Sequence, residues 1–158
     1  NPLFVMLLAP VFAAIWLRMG ARQPSTPIKF AIGLALLSSS FVLMVPAAYL
    51  TATGKLSPLW LIGLFALQTM GELCLSPVGL SAMTKLAPPR MVGLMLGVWF
   101  LGAAFGNKLA GILGTGFSSS DPQQLAMFFT QIAAITGGTA VVLFLLSGWV
   151  KTLMNGVD

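Results

Sequence analysis

Histidine is absent from this 158-residue chain, cysteine occurs once, and only three residues are acidic. Each scarcity excludes a class of function. A lone Cys74 has no partner for an internal disulfide, and no Cys/His cluster exists to hold zinc. No nucleophile has a base beside it and no two acids pair, so the chain is not expected to be an enzyme. Charged residues make up 7% of the chain, against roughly 25% in an ordinary soluble domain. The formal net charge is +5, but the eight basic residues are spread singly along the chain. They form no patch for nucleic acid. The nine methionines are equally scattered, which suits adaptable packing rather than a copper relay. No cofactor is expected.

What the chain has in abundance is apolar surface: 58% of residues, with a mean hydropathy of +0.97. A spanning helix needs about 20 apolar residues, and five stretches qualify: 2–19, 28–51, 58–86, 90–117 and 124–154. The expected fold is therefore all-α, a polytopic transmembrane helical bundle embedded in a lipid bilayer. The last three stretches exceed the required length, so tilt, a kink or extension past the bilayer is expected. The connections 20–27, 53–57, 87–90 and 118–122 are rich in Gly, Pro, Ser or charge and too short for a soluble domain. The chain opens on Asn1-Pro2-Leu3-Phe4 at the lip of a hydrophobic run, with no initiating Met and no signal peptide. It reads as a fragment.

Orientation follows from the basic residues, because alternate connections must face the same side. Arg18, Arg22 and Lys29 flank the first connection, Lys85 and Arg90 the third, and Lys151 the C-terminus, whereas the opposite side carries only Lys55 with Asp121. The positive-inside rule then places the C-terminus in the cytoplasm of a multi-pass inner-membrane protein. Lys108 stands apart inside the fourth span. It either snorkels to the outer interface or lines a cavity.

Glu72 is the only acidic residue within any predicted span. A carboxylate there is expensive and by default faces a substrate or ion pathway. Gln68, Glu72 and Ser76 lie four apart, on one helical face that Gly79 extends. Pro77 has no amide hydrogen, so the carbonyl of Leu73 loses its helical partner and the helix is expected to kink or break there. Broken helices at mid-membrane are where carriers place their sites. In hydrocarbon a carboxyl is tolerated either protonated or beside a cation, which makes Glu72 a proton-coupling candidate and an amine-binding one. The alternative is that it only hydrogen-bonds a neighbouring helix.

In the fourth span Gly102, Gly106, Ala110 and Gly114 repeat at four-residue spacing, a ridge for close helix packing. Trp99 precedes it, deeper than the interfacial belt, and either walls a binding cavity or packs in the core. Trp16, Trp60 and Trp149 lie near span ends as interface anchors. The fifth span, with Thr130, Gln131, Thr136 and Gly137-Gly138, is expected to be scaffold.

The run Gly71-Glu72-Leu73-Cys74-Leu75-Ser76-Pro77-Val78-Gly79-Leu80-Ser81-Ala82-Met83-Thr84-Lys85-Leu86-Ala87-Pro88 closely resembles the tenth helix of the proton-dependent oligopeptide transporters, within the major facilitator superfamily. Gly97-Val98-Trp99-Phe100-Leu101 with Gly106-Asn107-Lys108-Leu109-Ala110-Gly111 resembles the eleventh, Asn1-Pro2-Leu3-Phe4 the start of the eighth, and Asn155-Gly156-Val157 a stretch near the end of bacterial members. The resemblance covers essentially the whole chain. It implies a fold of two six-helix bundles, of which this chain holds helices eight to twelve of the C-terminal one; the N-terminal helical bundle is absent. It implies a symporter importing di- and tripeptides, with protons as the coupling ion. By position, Asn1 and Glu72 would bind the peptide amino terminus, Ser76 would support that site and Trp99 would line a side-chain pocket. Gly102 stands where many members have Ser. The family's first-helix acids and arginine, fourth-helix lysine and seventh-helix acid are not in this chain, so proton coupling is implied only by the resemblance. Two alternatives stay open: a membrane packing or assembly subunit in which Glu72 is structural, and a major facilitator carrier for another small amine-bearing solute.

Overall fold

A computed structural model describes residues 2–51, 54, 57–115 and 121–154. Asn1, Lys55 and the stretch Asn155-Gly156-Val157 lie outside the described residues. Five long helices run in chain order: α1 (Pro2–Met19), α2 (Thr26–Leu50), α3 (Leu59–Leu86), α4 (Val92–Thr115) and α5 (Pro122–Leu153). All five are long and apolar enough to cross a membrane. Their bounds fall within two residues of the expected spans. The 28 residues of α3 and 32 of α5 correspond to about 42 and 48 Å, well beyond a hydrocarbon core of about 30 Å.

Local chemistry sets the ends. Gly20, at φ +47°, takes the left-handed conformation that stops α1 at low steric cost. A single 3₁₀ turn (Gly20–Arg22) follows. Pro27 sits in the first turn of α2 and Pro122 in that of α5, where a missing amide hydrogen is harmless. The Asp121 carboxylate caps α5 by accepting from the Gln123 amide at 2.9 Å. α3 ends at Ala87, which is extended (φ −78°, ψ 137°), as a residue before Pro88 must tend to be.

α2 is the spine. It packs along α5 on one side and α3 on the other, while α1 and α4 touch α3 more lightly. The interfaces are built from small residues. Ala126, Ala133 and Ala140, seven apart, are the buried residues of α5. Ser38 of α2 donates a hydrogen bond to the Ala133 carbonyl at 2.8 Å, and a Cβ on Gly137 would come within 2.8 Å of the same hydroxyl. On the α3 side, Gly33 and Gly71 cross backbone to backbone: a Cβ on Gly71 would lie 2.9 Å from the Gly33 carbonyl oxygen, and one on Gly33 would lie 2.7 Å from Leu75. Thr69 and Cys74 of α3 are fully buried, Cys74 in this seam against Gly33. The Thr69 hydroxyl satisfies itself on the Phe65 carbonyl at 2.7 Å. Large apolar side chains point outward instead, Leu17 at 79% and Leu145 at 74% exposure. That inversion is the membrane pattern, because lipid solvates leucine while association needs close backbone approach.

One expectation is corrected, and another meets no partner among the described residues. Pro77 does not break its helix; α3 runs unbroken from Leu59 to Leu86 with Pro77 inside it. Proline removes one hydrogen bond, and the flanking turns keep theirs because hydrocarbon supplies no replacement partner. The small ridge of α4 does not pack here: Gly102, Gly106, Ala110 and Gly114 are all exposed, and among the described residues nothing lies within 4 Å of a Cβ built on the three glycines. The close glycine crossing is Gly33 with Gly71.

Candidate functional site

The α2–α3 crossing determines which way Glu72 points. Gly71 is buried against Gly33 and Cys74 against the same helix. A helix turns about 100° per residue, so Glu72 emerges beside the seam rather than within it. It is exposed, at the midpoint of α3. Ser76, one turn on, is also exposed, and Gln68, one turn back, is half-buried. The three share an open face, as their spacing predicts.

Gly79 continues that stripe with a different function. A Cβ there would lie 2.7 and 2.8 Å from the Cζ3 and Cζ2 atoms of Trp99. Glycine thus provides the seat for the indole, one turn from Ser76 and about 10 Å along the axis from Glu72. Trp99 is half-buried, and Phe30 of α2 meets it edge to face, with ring centroids 6.3 Å apart and planes at 90°. Aromatic pairs favour this geometry. Three helices therefore fix the indole at the border of the polar stripe. Phe30 escaped the sequence reading because nothing marks it among other apolar residues of α2. Gly79 was legible as part of the stripe but not as the seat of a tryptophan.

Pro77 points elsewhere. With Leu73 and Ser81 it lines a cavity of about 370 Å³ between α1, α2 and α3, whose lining includes none of Glu72, Ser76 and Trp99. Lys108 is exposed on α4 and lines no described cavity. Among the described residues no group of three His, Cys, Asp or Glu could hold a metal ion. Glu72, Ser76 and the Trp99 wall share an open surface near the middle of α3: a carboxylate, a hydroxyl one turn away and an aromatic boundary.

The POT family model matches residues 1–129. The chain is 43% identical over 99% of its length to an uncharacterized transporter, YclF, of Bacillus subtilis, and 41% identical over 100% of its length to the peptide transporter YePEPT of Yersinia enterocolitica. It covers 31% and 32% of those two proteins, so it spans about a third of the relatives it matches. Among solved structures, a mutant of a peptide transporter POT in complex with alafosfalin superposes with a TM-score of 0.88 at 36% identity, covering 99% of this chain and 32% of the other.

Proposed function

Because the chain belongs to the POT family, a family of multi-pass membrane transporters, we propose that it supplies five helices of the second bundle of a proton-coupled symporter that imports di- and tripeptides by alternating access. The observation that carries this reading is Glu72: an exposed carboxylate at the midpoint of a spanning helix, bordered by Ser76 and by Trp99 on its glycine seat. The carboxylate pairs with the ammonium group of a peptide when substrate is present and takes a proton when it is not. Asn1 contributes to the same amino-terminal subsite, Ser76 supports it, and Trp99 bounds the space for a side chain. The chemistry is binding and release, with no bond made or broken in the peptide.

The face carrying Glu72 is open, so the opposing wall comes from the N-terminal helical bundle of the same protein, and the exposed ridge Gly102, Gly106, Ala110 and Gly114 remains available to other helices of the full-length carrier. The protein resides in the cell membrane with the C-terminus in the cytoplasm, following the basic residues of the first and third connections. The chain alone does not transport.

The test is uptake of a labelled dipeptide by the full-length protein in proteoliposomes, with and without an imposed pH gradient, for wild type and Glu72→Gln. Gradient-driven uptake that the substitution abolishes is the expected result. Unchanged uptake in the variant would reduce Glu72 to a structural role. No uptake by a folded wild type would redirect the search to other small amine-bearing solutes.

A further inference from the structure

Trp99 is the last residue by which α4 engages the other described helices. Val92, Met95, Leu96 and Trp99 recur at helical spacing and are half-buried, whereas every residue from Phe100 to Thr115 is exposed. The helix runs on for about 24 Å beyond the indole. Two surfaces hold that indole. Gly79 of α3 lies beneath it, so close that a Cβ there would stand 2.7 Å from Cζ3 and 2.8 Å from Cζ2. Phe30 of α2 meets it at 6.3 Å between ring centroids, with the planes at 90°. Phe30 is itself half-buried and lies three residues before Gly33, whose own Cβ position is 3.0 Å from the Gly71 carbonyl oxygen. Helices α2 and α3 are consecutive and joined by a short connection, so they run in opposite directions. Phe30 and Gly79 therefore lie on the same side of the Gly33–Gly71 crossing, and the place of the phenyl ring is set by a backbone contact.

We propose that Phe30 is a positioning residue that sets side-chain selectivity from outside the site, acting through Trp99; this rests on the reading of Trp99 as the boundary of the space for a peptide side chain. The two contacts on the indole do different things. A glycine seat fixes how near the ring comes to α3, but it offers no side chain to grip and leaves the tilt of the ring free. An edge-to-face partner fixes the tilt, because the ring quadrupoles favour the perpendicular arrangement over others. Phe30 thus backs the indole on its α2 side and stops it leaning away from the stripe of Gln68, Glu72 and Ser76. With the phenyl ring gone, the indole gains room to lean towards α2, and the boundary admits larger side chains. A ring that served packing alone would affect all substrates alike, since its loss would change the amount of folded protein and not the shape of the boundary.

The experiment pairs two measurements on the full-length protein. Fluorine NMR of fluorotryptophan-labelled protein reports the indole, its Trp99 resonance assigned by loss in Trp99→Phe. Uptake of diphenylalanine and dialanine in proteoliposomes gives the ratio of their kcat/KM values, from which the amount of folded protein cancels. Phe30→Ala should shift the Trp99 resonance and raise the diphenylalanine-to-dialanine ratio about 2- to 10-fold, the weight of one aromatic pair, with the change in KM rather than kcat. Phe30→Leu keeps most of the apolar volume without the ring and should do the same, so the test survives if Phe30→Ala fails to fold. Phe30→Tyr should retain the wild-type resonance and ratio, as should Phe41→Leu, which lies 11 residues along α2, about 16 Å away. A Trp99 resonance indifferent to Phe30→Leu, an unchanged ratio, an equal loss for both peptides, or the same changes in Phe41→Leu would each overturn the proposal while leaving peptide transport in place. Uptake of neither peptide by folded wild type would instead overturn the peptide reading, and the selectivity role with it.

Discussion

Gly71→Ala tests the backbone-to-backbone contact between α2 and α3. The added Cβ would lie 2.9 Å from the Gly33 carbonyl oxygen, whereas a carbon sits comfortably against a carbonyl at about 3.3–3.6 Å. The neighbour is backbone, so no rotamer change relieves the overlap; α2 and α3 must separate by about half an ångström. Overpacking of this kind costs about 1–3 kcal/mol. Alanine also has a better helix propensity than glycine by up to about 1 kcal/mol, which partly masks the clash. Gly148→Ala removes that ambiguity, because Gly148 has nothing within 4 Å of its Cβ position among the described residues and gains the propensity alone. The difference between the two variants isolates the crossing. Reversible unfolding of the full-length protein in mixed micelles, followed by helical circular dichroism, should place Gly71→Ala about 1–3 kcal/mol below Gly148→Ala, roughly 5- to 150-fold in the folded-to-unfolded ratio. Equal or greater stability of Gly71→Ala would refute the argument that backbone contact holds these helices together.

Gly79→Ala should push Trp99 off its seat by about 1.5 Å, because the Cη2 atom lies closest to the added Cβ and carbon contacts are comfortable at about 3.5–4.0 Å. The expected result is an altered tryptophan emission and an uptake KM that changes more for dipeptides with bulky side chains than for dialanine; identical spectra and KM values would count against the placement of the indole. Ser38→Ala removes the hydrogen bond to the Ala133 carbonyl and should destabilise by about 0.6 kcal/mol, the average for such bonds inside membrane proteins. A loss above about 2 kcal/mol in the same micelle assay would mean the hydroxyl has a larger role than bridging α2 and α5.

The five spans were legible because hydrocarbon admits few solutions. A run of about 20 apolar residues with its backbone bonded internally is a helix wherever it lies in a bilayer, so residues 2–19 already defined α1. The singularity of Glu72 and its shared face with Gln68 and Ser76 were equally visible, since helical spacing fixes angular position without any knowledge of neighbours. A break at Pro77 was expected by weighing its one lost hydrogen bond above the continuity of the turns on either side, and α3 runs through it.

Which helix touches which was not written locally. Small residues occur on every helix, and the ridge from Gly102 to Gly114 looked as suited to close packing as the seams that form. Only the assembled bundle shows that Gly33 meets Gly71, that Ala126, Ala133 and Ala140 face α2, and that Gly79 lies under Trp99 with Phe30 at its edge. The sequence by itself determined the membrane-spanning helices, their number and the place of the lone acid in the middle of one of them, because those follow from transfer of single residues into hydrocarbon. Tertiary structure decided the partners, because dispersion and backbone approach between helices fall off within an ångström and depend on both surfaces at once.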